Sequence, residues 1–369
     1  MALKNKLSIT SFSEPAREDY LLAMERSPVR DTEMDASSEP KGKEWKMNIN
    51  FRKLFILFNL LLYLPVALLL WAGLVGRDYS LEQKENSRLI GVSYMTMNNE
   101  FYKILNEEIS NQVEIQGDRM VLRDPALSVD RQIEQIEEML QMGIDVLVVT
   151  PVDWKGLSDV LKQAKSQGVF LVVVDSDLEE ESVADCTITS DNYNAGRLVG
   201  RYFLEQNRES ELIVMTHDAA KSGQDRVQGF LDEVGKNDKI HVVKRMNCDG
   251  QLEIAMPKMQ QAIEEGVTFD SVFCLNDLAA VGVAAALDEH GLLKKVQVYG
   301  IDASPDAKAL IKEGMMSASA AQFPSRIGQI AADVVYRLLK GETVEKKIRV
   351  PVELVTQENV EQYSIGRWQ

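Results

Sequence analysis

Short apolar runs in this sequence repeatedly end in polar residues of a kind that handles hydroxyl groups. LIGVSYM is followed by Thr96, Asn98 and Asn99 and then by Phe101 and Tyr102; DVLVVT by Pro151 to Asp153; VFLVVV by Asp175, Ser176 and Asp177. Further on, SVFCL ends at Asn276 and Asp277, VQVYGI at Asp302 and SASAA at Gln322. A sugar or polyol hydroxyl both donates and accepts, so a carboxylate accepts from it while an amide donates to it, and planar side chains bridge adjacent hydroxyls. An aromatic ring packs on the C–H face of such a ligand. Taken singly, each of these residues is a helix N-cap or turn former, and Asp153, Ser304 and Asp277 carry no more weight than that. Six strand ends bearing the same mixture favour a crevice that binds a small polar molecule.

Catalysis has no comparable support. The sequence contains no GxSxG, GxGxxG or GxxxxGK[ST], and no carboxylate pair at a hydrolytic spacing. His217, His241 and His290 lie far apart and form no HxxxH or HExxH pair, so no metal site is expected. Cys186, Cys248 and Cys274 are an odd, sparse set without CxxC spacing, which suggests neither a disulfide framework nor a thiolate metal site. No cofactor is implied. With 41 Lys plus Arg against 57 Asp plus Glu, the net charge of −16 repels phosphate over most of the surface, so nucleic acid is excluded as a partner.

In an open α/β sheet, ligands bind beyond the carboxyl ends of the strands, so these residues need a succession of parallel strands behind them. The sequence supplies one. LIGVSYM, MVLRD, DVLVVT and VFLVVVD alternate with helices beginning near Asn99, over DRQIEQIEEMLQMG and over DWKGLSDVLKQAKSQG. DVLVVT and FLVVV are apolar throughout, as parallel strands covered on both faces are. A second run, ELIVMT, HVVKRM, SVFCL, VQVYGID and SASAA, alternates with helical stretches near 193–206, 223–235, 251–265, 278–290 and 305–313. The expected class is α/β, with two doubly wound parallel-sheet lobes.

The first 76 residues differ. Residues 1–53 mix charges with Ser, Pro and Met and read as a disordered tail, with Met47 a second candidate start. LFILFNLLLYLPVALLLWAGLVG, residues 54–76, holds no formal charge and is long enough to span a bilayer as a helix. Lys41, Lys43, Lys46, Arg52 and Lys53 place its N-terminal side in the cytoplasm. The run exceeds a usual signal-peptide h-region and ends without an AxA-like site, so an uncleaved single-pass anchor is favoured over a cleaved signal. Residues 77–87 then form a tether to an extracytoplasmic binding domain.

VSYMTMNNEFYKIL, DVLVVTPVD, VVVDSD, TSDNYNAGRLVG, SGQDRVQGF, VFCLNDLAAVG, VYGIDASPDA and SASAAQFPSRIGQIAADVV, in this order and spacing, resemble the type I periplasmic sugar-binding proteins, nearest in pattern to ribose-binding proteins. The resemblance spans residues 88 to about 358. It implies two lobes joined by a three-crossing hinge, 88–189 with 323–351 and 190–322 with 352–362. It also implies a monosaccharide or polyol ligand and an ABC permease or a membrane sensor kinase as partner. Residue by residue, it implies ligand contacts from Asn99, Phe101 and Tyr102, a carboxylate acceptor at Asp175 and Ser190 near the hinge. A cationic donor is implied at Arg226, with Asn276, Asp302 and Gln322 completing the second lobe. Four positions depart from the ribose pattern. Thr150 stands for Asn and Ser176 for Arg, while Asp249 and Ile301 occupy two aromatic positions.

Two other classes fit less well. A transcriptional repressor with this core needs a helix-turn-helix before residue 88, where the tail and apolar segment stand. An enzyme lacks its motifs.

Overall fold

Val146–Val149 and Phe170–Val174, apolar without interruption, lie side by side at the middle of a sheet and are buried on both faces. The computed structural model describes residues 87–206 and 209–369, with Lys53, Phe58 and Tyr63. The chain divides at Tyr79/Ser80, and the strands and helices below belong to the second unit, Ser80–Gln369. Apart from those three residues, the expected tail and anchor, with most of the tether, lie outside the described residues. Among the described residues no helix is long and apolar enough to cross a membrane.

The strands are β1 Leu89–Ser93, β2 Arg119–Arg123, β3 Val146–Val149, β4 Phe170–Val174, β5 Cys186–Ser190, β6 Ser210–Thr216, β7 Ile240–Asn247, β8 Ser271–Cys274, β9 Gln297–Asp302, β10 Ala318–Ala321, β11 Lys347–Val350 and β12 Glu353–Thr356. The helices are α1 Glu100–Ile115, α2 Val129–Gln141, α3 Ser158–Ser166, α4 Asn192–Gln206, α5 Lys221–Val234, α6 Leu252–Glu264, α7 Asp277–Glu289, α8 Pro305–Lys312 and α9 Pro324–Leu339. One sheet has the order β11-β5-β4-β3-β1-β2, all parallel; the other runs β12-β10-β9-β8-β6-β7, parallel except for β12 against β10. Each forms one lobe with its covering helices. The chain passes between the sheets at Asp191, after Gln322 and at Pro351.

Helix α1 shows how the sequence builds these layers. Asn99, in extended conformation, accepts from the Phe101 amide (3.0 Å) and caps the helix. Phe101, Tyr102, Leu105, Ile109 and Val113 then form one buried face, which packs on the first sheet beside α9. Helix α3 departs from expectation, beginning at Ser158 rather than near Asp153. Asp153 Oδ1 accepts from the amides of Lys155 (2.8 Å) and Gly156 (3.2 Å), so the backbone donors of a first turn are taken up in a tight loop. Two short strands, β11 and β12, were not anticipated from pattern. Four residues each, they complete their sheets only through partners far back in the chain.

Candidate functional site

Both rows of strand ends face one cavity. Its walls hold Asn99, Phe101, Tyr102 and Asp175 from the first lobe, and Arg226, Asn276, Asp302 and Gln322 from the second or the crossing, with Met95, His217, Ala220, Ser222 and Leu275 between them. Eight of the expected residues therefore stand together. Ser190 is buried at the end of β5 beside the first crossing, outside this lining, and its hydroxyl has no hydrogen-bond partner.

At the centre, the Arg226 guanidinium lies between two carboxylates, with Nη2 3.7 Å from Asp175 Oδ1 and Nη1 3.6 Å from Asp302 Oδ1. All three side chains are about 5% exposed or little more. Arg226 Nε donates to Asn192 Oδ1 (2.8 Å), which fixes the plane of the fork, while Asn192 Nδ2 donates to the Asp175 carbonyl (3.3 Å). Tyr102 donates its hydroxyl to Asp175 Oδ2 (2.9 Å), and its ring stacks on Tyr94. Gln322 Nε2 donates to Asp302 Oδ1 (2.5 Å), leaving its buried Oε1 without a partner. An unpaired buried acceptor costs stability unless a further donor arrives, and Gln322, which lines the cavity, holds such an acceptor in Oε1.

The backbone is strained where the carboxylates sit. Asp175 has φ 67°, Asp302 φ 136° and Ala303 φ 49°, a region that non-glycine residues enter at a cost and that clusters at functional sites. Asn99 and Asn276 both cap helices through their Oδ1 while lining the cavity; Asn276 Nδ2 also donates to the Gly250 carbonyl (2.9 Å). Ser304 is the N-cap of α8. Asp277 does more than a cap, accepting from the Ser304 amide and the Ser319 hydroxyl (both 2.7 Å) and so holding the loop after β9.

Burial sets the protonation of the group. It pushes Asp302 up to about 8 against the opposing pull of Arg226, and Asp277 up to about 6 against its hydrogen bonds. Burial also raises Asp175, again opposed by Arg226 and by the Tyr102 hydroxyl, and lowers His217. The folded protein therefore keeps a proton on Asp302 that the unfolded chain has already lost above about pH 4. The stability this group contributes is complete below its unfolded value of 3.8 and falls away as pH rises through about 8. The denaturation midpoint is expected to fall from pH 5 to pH 8 for the wild type and to fall less for Asp302→Asn; equal falls would show that Asp302 does not carry this pH dependence.

The open space at the centre is about 40 Å³, room for a few waters. A larger concavity of about 350 Å³ lies next to it, lined by Thr216, His217, Asp218, Gln224, Arg245 and Asn247 among others, and shares only His217. The narrower space is the candidate site because the buried charges and the unpaired acceptor are there. Among the described residues no group of three His, Cys, Asp or Glu is placed to hold a metal ion.

Three of the four positions that depart from the ribose pattern have a structural role, while the buried Thr150 hydroxyl has no hydrogen-bond partner. Ser176 accepts from the Ser222 amide across the lobes (3.2 Å), Thr150 is fully buried at the end of β3, and Ile301 is buried in the second core. Asp249, at φ 49°, closes the turn after β7 and accepts from Asn247. Trp154 stays outside the cavity, with Lys155 Nζ over its ring. His217 and Asn192 were missed, although His217 follows β6 as directly as Asp302 ends β9.

Two lobes with three crossings around a buried polar cleft define a solute-binding protein. The chain belongs to the family described as periplasmic binding protein domain, whose profile matches residues 90–343, and it is a binding protein rather than an enzyme. The ribose import binding protein of Bacillus subtilis (strain 168) is 27% identical over 270 residues, 73% of this chain and 87% of that one. An ABC transporter solute binding protein from Mycobacterium smegmatis with bound glycerol is 27% identical, with a TM-score of 0.72 over 77% of this chain and 100% of that one. Another, from Bacillus halodurans C-125 with bound myo-inositol, is 25% identical, with a TM-score of 0.71 over 76% and 98%.

Proposed function

We propose that this chain is an extracytoplasmic solute-binding protein that closes on one small polyhydroxylated molecule, a monosaccharide or polyol, and delivers it to an ABC-type importer. The observation that carries the reading is Arg226 held between Asp175 of one lobe and Asp302 of the other, with the Gln322 acceptor unpaired beside them. A ligand bridging those groups makes contacts only the closed form offers, and so shifts the hinge equilibrium towards closure. Asn99, Phe101, Tyr102, Asp175, Arg226, Asn276, Asp302 and Gln322 are its contacts on this reading, and the lobes move about the three crossings.

Ribose itself is disfavoured. Ser176 supplies no cation where the ribose pattern has one, and Asp249 and Ile301 supply no ring on the second lobe. A compact ring or short polyol flanked by Phe101 and Tyr102 on one side alone suits the cleft better. The import function named for the Bacillus subtilis relative favours transport over sensing. Residues 54–76 would hold the binding domain at the outer membrane surface.

Thermal denaturation with ribose, allose, myo-inositol and glycerol tests the reading. A ligand at about 100 times its Kd adds about 2.7 kcal/mol to native stability, several degrees in Tm. Asp175→Ala is expected to fold and to lose that shift; a shift that survives removes Asp175 from the site, and no shift with any polyol removes the sugar reading.

A further inference from the structure

The last seven residues of the sequence run from one lobe to the other. Tyr363 packs against the core of the second lobe, and Trp368 against the core of the first. The anchor on the second lobe is Lys308 of α8, whose side chain is fully buried and donates to the carbonyls of Ser364 and Arg367 and to Gln369 Oε1, each at 2.6 Å. Burial pushes this ammonium down to about 8, so it remains charged at neutral pH. Gln369 Nε2 donates to the carbonyl of Ala303 (2.9 Å), in the strained loop directly after Asp302. On the first lobe, the Trp368 ring meets Phe101 edge-on with centroids 5.8 Å apart, and its Nε1 donates to Glu100 Oε2 at 3.4 Å.

These contacts have a common direction. A buried lysine with three acceptors on a six-residue segment is an expensive arrangement unless the segment is held in one path. That path begins at Lys308 and ends by setting Trp368 on Phe101, which lines the cleft, and Gln369 beside Asp302, which lines it from the other side. The segment lies beyond the residues matched by the family profile.

We propose that Trp368 is a positioning residue of the cleft: the strap Ser364–Gln369, pinned to the second lobe by Lys308, braces Phe101 of the first lobe and couples the two lobes. Its bearing on ligand affinity rests on the function proposed above; the coupling itself does not. Opening the hinge separates Trp368 from Phe101 or pulls the strap from Lys308, so the strap adds to the closed state the contacts that opening breaks.

The test needs no ligand. Amide hydrogen exchange is followed by mass spectrometry in the full chain, comparing Lys308→Met, Trp368→Ala and Trp368→Phe with the wild type. Lys308→Met alters only the second lobe, yet exchange over residues 100–104 at the start of α1 is expected to rise roughly tenfold, about the effect of losing an aromatic pair. Trp368→Ala is expected to do the same, the two changes together no more than either alone, and Trp368→Phe to restore protection. Unchanged exchange at residues 100–104 in Lys308→Met, additive effects, or no rescue by Phe would each overturn the proposal. If exchange behaves as expected while no polyol binds, the strap stands and the sugar reading fails.

Discussion

Arg226→Ala loses about 3–5 kcal/mol of stability at pH 8, the usual cost of stripping the partner from a buried ion pair. Two carboxylates depend on this one guanidinium, each with side chains about 5% exposed. Without it, Asp175 is left unpaired beside Asp302 in a dry pocket, and because burial already holds a proton on Asp302 up to about pH 8, the chain must protonate Asp175 as well or unfold. Protonation is easier at low pH, and burial already favours it at Asp302, so the loss at pH 5 is expected to be visibly smaller than at pH 8. Arg226→Met with Asp175→Asn and Asp302→Asn removes the charges together and recovers most of the stability, though not ligand binding. Denaturant titrations at the two pH values measure all of this. Equal losses at pH 5 and pH 8 would mean that the cost lies in lost packing and not in uncompensated charge.

Gly229→Ala is the second large effect, and it acts on Arg226 from three residues away. Helices α4 and α5 cross at Gly196 and Gly229, where there is no room for a side chain: a Cβ on Gly229 would land on the carbonyl oxygen of Tyr193, and one on Gly196 on that of Arg226. Neither obstacle is a rotatable side chain. Relief requires the helices to separate, which breaks the Arg197 Nε to Glu233 Oε1 bond (2.7 Å) and the Phe203–Phe230 contact across the same seam. Overpacking usually costs 1–3 kcal/mol, and a clash between two backbones belongs at about 3 kcal/mol or above. A denaturation midpoint within 1 kcal/mol of the wild type, by the usual error of such titrations, would show that the helices can part cheaply.

The same residues explain what was legible in the sequence. Asp175, Asn276 and Asp302 could be found because each stands at the end of an apolar strand or within two residues of it, and a parallel sheet puts every such position at one edge. His217 obeys the same rule, standing directly after β6. Ser190 and Arg226 came through family pattern alone; nothing in a helical stretch such as QDRVQGF announces that its arginine turns inward. Lys308 and Trp368 were illegible for a stronger reason. A lysine on an amphipathic helix is ordinarily solvated, and its burial depends on a segment 56 residues further on whose path no local pattern specifies. Strands as short as β11 and β12 carry too few residues for a period, and the start of α3 was displaced by one aspartate side chain.

The interleaving of the lobes also constrains how the chain acquires its shape. The first sheet lacks its edge until β11 pairs with β5, and Lys347 then reaches Glu181 across 166 residues of sequence. Everything from α4 to β10 is made in that interval and can close on its own core first. Contacts between such distant residues are slow to form, because a long loop must be ordered before they are gained. In the meantime β5, whose five residues end up wholly buried, presents an unpaired edge. A nascent chain is thus most exposed to misassociation at a strand whose partner arrives last. A holding chaperone would act most usefully there.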